Sequence, residues 1–385
     1  MNCEVFESDF TFSELKSALK KCKKGKAAGP DRITNEMINN LSDYELTTIL
    51  DLINKTWREG KLPTAWRKAN TIPILKNDRN PNEITSYRPI SLTSNLGKVA
   101  ERMINDRLYW WLESSKIINT NQSGFRKNKQ TIDQLIRLTQ DIGDAYQEKK
   151  SVLATFIDLK QAYDRVWRTG LFFKIKKMGI SGKLYNWLKG FFQNRTIQTT
   201  YNGSSSKQRT LEEGLPQGSA LSCTLFLIYI NDLPDVITCQ KALFADDLVI
   251  WTKGIYPKTI INNINKNLTT ISAYCELWKL EMNREKTVYS LFSLNTKAKG
   301  EDMESKIGGI KIAYEKFPRY LGVELDQRLT MEHYIENLIK KTTTRIKLIK
   351  HLASCKWGAD FQACANYTLD DTSDQQLTTH FLYRQ

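Results

Sequence analysis

Histidine is scarce in this chain, with three residues in 385, and its seven cysteines form no Cys-x-x-Cys pair. An odd number of scattered cysteines argues against a disulfide framework, and the absent pairs and histidines argue against a zinc site. Long hydrophobic runs are missing too. The longest, Leu225 to Ile230, falls far short of the ~20 apolar residues of a membrane-spanning helix. Met1 to Phe10 is acidic and has no apolar core, unlike a signal peptide. No internal repeat occurs. These absences describe a reduced, soluble, intracellular protein with no membrane partner.

Positive charge, by contrast, is abundant. A net charge of +15 and a pI near 9.3 point to a polyanionic partner, either a phosphate backbone or an anionic membrane surface. The basic residues run through the whole chain and interleave with aromatics, which favours a long nucleic-acid groove over one membrane patch. Hydrophobic content of 41% and the chain length suit a folded protein with a large core and two or three subdomains.

Local patterns place the elements. Thr11-Phe12-Ser13-Glu14 and Ser42-Asp43-Tyr44-Glu45 are capping boxes that predict helices, the second closed by Gly60 and Pro63. Residues 66–76 read as a strand in which Pro73 requires an edge or a bulge. Helices are expected over 99–112, 132–146, 171–192 (broken at 179–182) and 260–280. A buried strand is expected over 151–159, and a polar hairpin around Asn202-Gly203. Gly218-Ser219 should cap a very apolar helix ending near Ile230. Residues 317–325 read as a strand, and 331–352 as a helix turning Ile335, Leu338, Ile339, Ile346 and Ile349 inward. Beyond Asp360 no apolar stripe survives, so a poorly ordered tail is expected.

Chemistry concentrates in acidic residues at strand ends. Ala242 to Trp251 sets two apolar runs around Asp246-Asp247, which predicts a β-hairpin with both acids at its tight turn. Most such turns are simply solvated. Asp158, however, ends a second buried strand, where an acid is costly unless paired, hydrogen-bonded or metal-bound. Three converging carboxylates would repel one another and hold their protons. Mg²⁺ removes that penalty, and two ions would activate an attacking hydroxyl and stabilise a leaving pyrophosphate. Mn²⁺ suits the same oxygens.

Lys76 and Arg88 are candidate cations for a triphosphate, Arg88 being held in a Tyr-Arg-Pro turn; the bland reading is two surface basic residues. The loop Gly214-Leu215-Pro216-Gln217-Gly218 carries little side-chain bulk, so a base pair could come close; it is equally suited to a plain turn before a helix. The run Lys20 to Lys26 suits a solvated helix end, a nuclear address or a phosphate contact alike.

Taken together, these residues resemble the reverse transcriptase of non-LTR retrotransposons, in particular jockey-like elements. The matching stretches run in order from about residue 10 to 360. They are Lys26 to Asp31, Tyr87 to Leu92, Gln122-Ser123-Gly124-Phe125-Arg126, Phe156 to Leu159 with Ala162-Tyr163-Asp164, Gly214 to Ser219, Phe244 to Asp247, Asn283 with Lys286-Thr287, and Tyr320 to Val323.

The resemblance implies an α+β right-hand polymerase. Residues 1–150 would be an N-terminal extension and fingers, 151–316 a palm with an antiparallel sheet and packed helices, 317–356 a primer grip and partial helical thumb, and 357–385 a divergent tail. It further implies that Asp158, Asp246 and Asp247 bind the metals and that Lys286 protonates the departing pyrophosphate. Lys76, Arg88, Tyr163 and Gln217 would bind the nucleotide, with Tyr163 excluding a 2′-hydroxyl. Lys26, Arg126, Gly218, Tyr320, Leu321 and Gly322 would contact template and primer. RNA template, DNA primer and deoxynucleoside triphosphates are the implied partners, and cytoplasm and nucleus the implied locations.

There are departures. No endonuclease, RNase H or Cys/His knuckle accompanies the polymerase pattern, and Cys223 stands where the family usually has proline. The match stops near Trp357. A viral-type RNA-dependent RNA polymerase is disfavoured by Ala245 before the Asp pair and by Tyr163. The rival from another class is a truncated, catalytically silent nucleic-acid-binding remnant of such an element.

Overall fold

The computed structural model describes residues 4–76, 80–295, 297–298 and 300–352, so the expected tail at 357–385 lies outside the described residues. Helices and sheets are mixed in an α+β arrangement, and the chain divides into two units, each assembled from separated segments.

The first unit takes residues up to Thr120, Lys160–Pro234 and Tyr274–Glu281. Both capping boxes form as expected, opening the helices Phe12–Lys20 and Asp43–Glu59, with Gly60 in the left-handed region at the second helix's end. The helix Asn95–Ser114 carries Arg107, whose guanidinium bonds both Glu14 oxygens (2.6 and 2.9 Å) and the carbonyls of Val5, Ser8 and Asp9. Burial alone would raise the Glu14 carboxyl, but Arg107 and the Thr11 amide outweigh it and hold it below its ordinary value.

The sheet of this unit runs in the order Tyr87–Thr93, Lys68–Leu75, Thr196–Tyr201, Ser204–Ser205, with Arg209–Thr210 also on the third strand. Lys68–Leu75 is flanked on both sides only over Ala69–Thr71, so Pro73 sits where one flank is open and needs no amide hydrogen there. The expected cap at Gly218-Ser219 does not form. The apolar helix starts later, at Ser222–Ile230: Ser219 Oγ accepts from the Leu221 amide (3.2 Å), ahead of the helix, and donates to Glu101 (2.6 Å), while Ser222 Oγ donates to the Pro216 carbonyl (2.8 Å).

The second unit takes Asn121–Leu159, Asp235–Ala273 and residues from Met282 onward. Its sheet is ordered Ala313–Tyr314, Val288–Phe292, Ser151–Ile157, Asp247–Gly254, Gln240–Phe244. The central strand, Ser151–Ile157, is antiparallel to both neighbours and buried from Val152 on. Leu135, Leu138, Ile142 and Ala145 of the helix Thr131–Gln147 pack on it with Phe156, Val249, Trp251 and Tyr320.

Two further expectations are corrected in this unit. Residues 317–325 are not one strand but a small hairpin, Arg319–Tyr320 with Val323–Glu324. Its turn residues Leu321 and Gly322 have φ of 48° and 93°, and two consecutive positive φ values reverse the chain. In the helix Glu332–Leu352, Ile339 (59%) and Ile346 (47%) are exposed rather than turned inward, because the apolar stripe outruns what its neighbours cover.

Candidate active site

In the second unit, the pairing of Ser151–Ile157 with Asp247–Gly254 ends at Ile157 opposite Leu248. One step further along the same register sets Asp158 across from Asp247. Hairpin pairing of Phe244 with Asp247 makes Ala245 and Asp246 the turn residues. The expected Asp-Asp turn is therefore shifted by one: Asp246 stands in the turn and Asp247 opens the strand.

Asp158 is latched by the segment that leads into the strand Val288–Phe292. Asn283 Nδ2 donates to Asp158 Oδ2 (2.9 Å), the Asn283 amide donates to the Asp158 carbonyl (2.8 Å), and the Asp158 amide donates to Thr287 Oγ1 (3.3 Å). Burial, and after it the charge of Asp158, lifts Asp246 above its ordinary value, although a backbone hydrogen bond opposes the shift. Asp247 still reaches solvent, yet partial burial and the charges of Asp246 and Asp158 push it up to about 6.

A cavity of about 350 Å³ opens beside these acids, with Asp158, Asp247, Lys286, Arg319, Leu321 and Gly322 on its wall. Lys286 is exposed there, on the turn before Val288–Phe292. Tyr320 is 3% exposed, its ring 5.5 Å from that of Phe156, so its side chain is core. The hairpin meets the cavity through its turn, through Tyr320 and through Arg319, a residue that carried no signal in the sequence. Arg126 also lies in this unit, with Nη1 donating to the Gln122 carbonyl (3.0 Å).

Among the described residues, no three Asp, Glu, His or Cys side chains stand close enough, as placed, to enclose a metal ion. The donor chemistry nevertheless fits a hard divalent cation. Carboxylate oxygens that raise one another's affinity for protons lose that repulsion when a cation is bound.

The first unit carries the remaining candidates. Lys76 Nζ donates to the Thr85 carbonyl (2.8 Å), and Arg88 is exposed on the strand paired through Ile74. Lys26 is exposed as well. The half-buried Tyr163 stacks on Phe226, with centroids 4.7 Å apart and planes at 19°. Gln217 Nε2 contacts both Asp164 oxygens (2.9 and 3.0 Å), a partnership that had no sequence signal beyond the neighbouring Tyr163-Asp164 pattern.

The glycines of the Pro-Gln loop serve the protein's own backbone. A Cβ on Gly214 would fall 2.6 Å from the Asp164 carbonyl, and one on Gly218 would fall 2.7 Å from that of Ser91. At these two points the lack of side-chain bulk lets the protein's own backbone come close. A cavity of about 250 Å³ lies beside the loop, walled by Ser91, Asp164, Arg195 and Gln217 among others.

In the second unit, then, a buried central strand ends in one acid against a hairpin carrying two more. The profile of the reverse transcriptase (RNA-dependent DNA polymerase) family matches residues 74–325, and the chain belongs to that family. Among curated relatives it is similar to the RNA-directed DNA polymerase from mobile element jockey of Drosophila melanogaster, at 31% identity over 347 residues, covering 88% of this chain and 37% of the relative. The corresponding protein of Drosophila funebris is 32% identical over 354 residues, covering 90% and 38%. The probable RNA-directed DNA polymerase from transposon BS of Drosophila melanogaster is 30% identical over 351 residues, covering 89% and 38%. The chain thus spans a little over a third of the length of these relatives.

Proposed function

We propose that this chain is the polymerase portion of a non-LTR retrotransposon's RNA-directed DNA polymerase, extending a DNA 3′-hydroxyl along an RNA template. The observation that carries the reading is the meeting of Asp158 with the Asp246-Asp247 hairpin at one end of the second unit's sheet. In this reading that sheet is the palm of a right-hand polymerase, residues 1–150 include the fingers, and 317–356 begin the thumb.

Reverse transcriptases are generally dependent on divalent metal. Asp158, Asp246 and Asp247 would hold two Mg²⁺ ions, which when bound supply Lewis-acid activation of the 3′-hydroxyl and charge stabilisation on the pyrophosphate. Asn283 orients the Asp158 carboxylate. Lys286 delivers a proton to the departing pyrophosphate. Lys76 and Arg88 bind the triphosphate, and Tyr163, backed by Phe226, refuses a 2′-hydroxyl. Gln217 and Gly218 serve the template side of the nascent pair. Lys26, Arg126 and the Tyr320-Leu321-Gly322 turn, joined by Arg319, hold template and primer.

Primer extension on an RNA/DNA template-primer with Mg²⁺ tests the proposal. Asp158→Asn and Asp246→Asn should each reduce extension to background while leaving template-primer binding largely intact. Near-normal extension by either variant would refute the two-metal assignment. Binding without extension by the unmodified protein would identify a catalytically silent remnant instead.

A further inference from the structure

The hairpin that carries Asp246 does not hold its shape by itself. Ala245, the first of its two turn residues, has φ of 56°, a left-handed conformation that glycine adopts freely and alanine resists. A second segment of the same unit, beginning at Asn121, lies along the strand Gln240–Phe244. The Leu243 amide donates to the Asn121 carbonyl (2.9 Å) and the Ser123 amide to the Leu243 carbonyl (2.9 Å). This rail delivers Gln122, 4% exposed, to the turn.

There the Gln122 side chain grips the Ala245 residue on both sides. Its Oε1 accepts from the Ala245 amide (2.9 Å) and from the Gly124 amide (2.7 Å), and its Nε2 donates to the Ala245 carbonyl (3.1 Å). Nothing larger than glycine is tolerated beside the grip, since a Cβ on Gly124 would lie 2.0 Å from the Ala245 nitrogen. The rail is fixed in turn by the buried Gln134, whose Nε2 contacts the Asn121 and Leu243 carbonyls and Ser123 Oγ (3.0, 3.2 and 2.7 Å).

We infer that Gln122 is a positioning residue, an amide clamp that holds the Ala245-Asp246 turn in its left-handed conformation and so fixes where the Asp246 carboxylate points. Strand pairing of the hairpin ends at Phe244 opposite Asp247, so the Ala245 amide lies outside that pairing. Without the clamp, Ala245 would relax toward negative φ and carry Asp246 with it. The catalytic consequence rests on the polymerase reading; the clamp itself does not.

The test compares Gln122→Met, which keeps the volume and loses the hydrogen bonds, with the double variant Gln122→Met/Ala245→Gly, in which glycine accepts the turn unaided. In Gln122→Met the rate of single-nucleotide addition should fall at least tenfold, with template-primer affinity within about twofold of the unmodified protein. Adding Ala245→Gly should recover most of that loss. Unchanged kinetics in Gln122→Met, or a loss that Ala245→Gly does not repair, would overturn the inference. Hydrogen exchange gives a readout free of activity: the Ala245 and Gly124 amides should be protected in the unmodified protein and should exchange faster in Gln122→Met. Equal exchange rates would refute the clamp even if no extension were seen, whereas absent extension with the protection pattern intact would count against the polymerase reading alone. Should Gln122→Met fail to fold, the double variant decides. Restored folding supports the clamp, and continued failure assigns Gln122 to packing.

Discussion

At the scale of single residues, three carboxylates meet two uncharged amides at the end of the second unit's sheet. Asp158, Asp246 and Asp247 stand out because a carboxylate at the end of a buried apolar strand needs a reason. Asn283 and Gln122 are uncharged and act on residues more than a hundred positions away, the Asp158 carboxylate and the Ala245 backbone, so their roles appear only when remote segments meet. The Asn283 side chain donates to the Asp158 carboxylate at 2.9 Å. Removing the hydrogen-bond partner that orients a metal ligand costs roughly 10–100-fold in affinity or activity. Asn283→Ala should therefore lower extension within that range and raise the Mg²⁺ concentration needed for half-maximal rate; an unchanged Mg²⁺ response would deny it the role. Asp247 makes a second prediction. Its ordinary value of 3.8 rises to about 6 in the folded protein. Between those values the folded state binds more protons than the unfolded one, so the associated stability is complete below 3.8 and is lost as pH rises through about 6. Asp247→Asn should accordingly melt higher than the unmodified protein at pH 8 without metal, with the difference closing by pH 4. A gain of equal size at both values would show that the carboxylate is not under this strain.

Elements were legible where their signals are local. Both capping boxes and the helix-ending Gly60 follow from residues within a few positions of one another, and all form. The hairpin at Arg319–Glu324 was hidden because Tyr-Leu-Gly-Val reads as a short apolar run, and only Gly322 hinted at the reversal. The start of Ser222–Ile230 was misplaced: Ser219, a good capping residue, accepts from the Leu221 amide ahead of the helix and donates to Glu101 of a helix far away in sequence. The apolar helix Ser222–Ile230 also supplies Phe226, which lies flat against Tyr163. That stacking is what a steric gate requires, since a ring that cannot swing aside can exclude a hydroxyl. Tyr163→Ala should leave deoxynucleotide use mostly intact and raise ribonucleotide incorporation by orders of magnitude. If Tyr163 were only a core aromatic, the variant would instead lose a few kcal/mol of stability and both activities together. The ratio of ribo- to deoxynucleotide incorporation in a folded variant separates the two.

For the whole molecule, composition says more than pattern does. The two units are stitched from separated stretches of chain, which no linear reading of elements reveals. Net charge requires no such reading. An excess of fifteen positive charges over 385 residues is far more than solubility needs, and no helix among the described residues is long and apolar enough to cross a membrane. A template-primer offers phosphates along its entire length, and each phosphate contacted by Lys or Arg releases condensed counterions on binding. A protein making on the order of 6–10 such contacts loses about 10³–10⁵ in affinity between 50 and 200 mM salt. Contacts to the backbone carry no sequence information directly, so the same slope should hold for unrelated RNA/DNA hybrids. Fluorescence anisotropy with two hybrids of different sequence, titrated at several salt concentrations, measures both features at once. Parallel, steep lines are expected. A flat response combined with a sharp preference for one hybrid would mean that base edges rather than phosphates dominate the interface, and that the basic residues serve another partner.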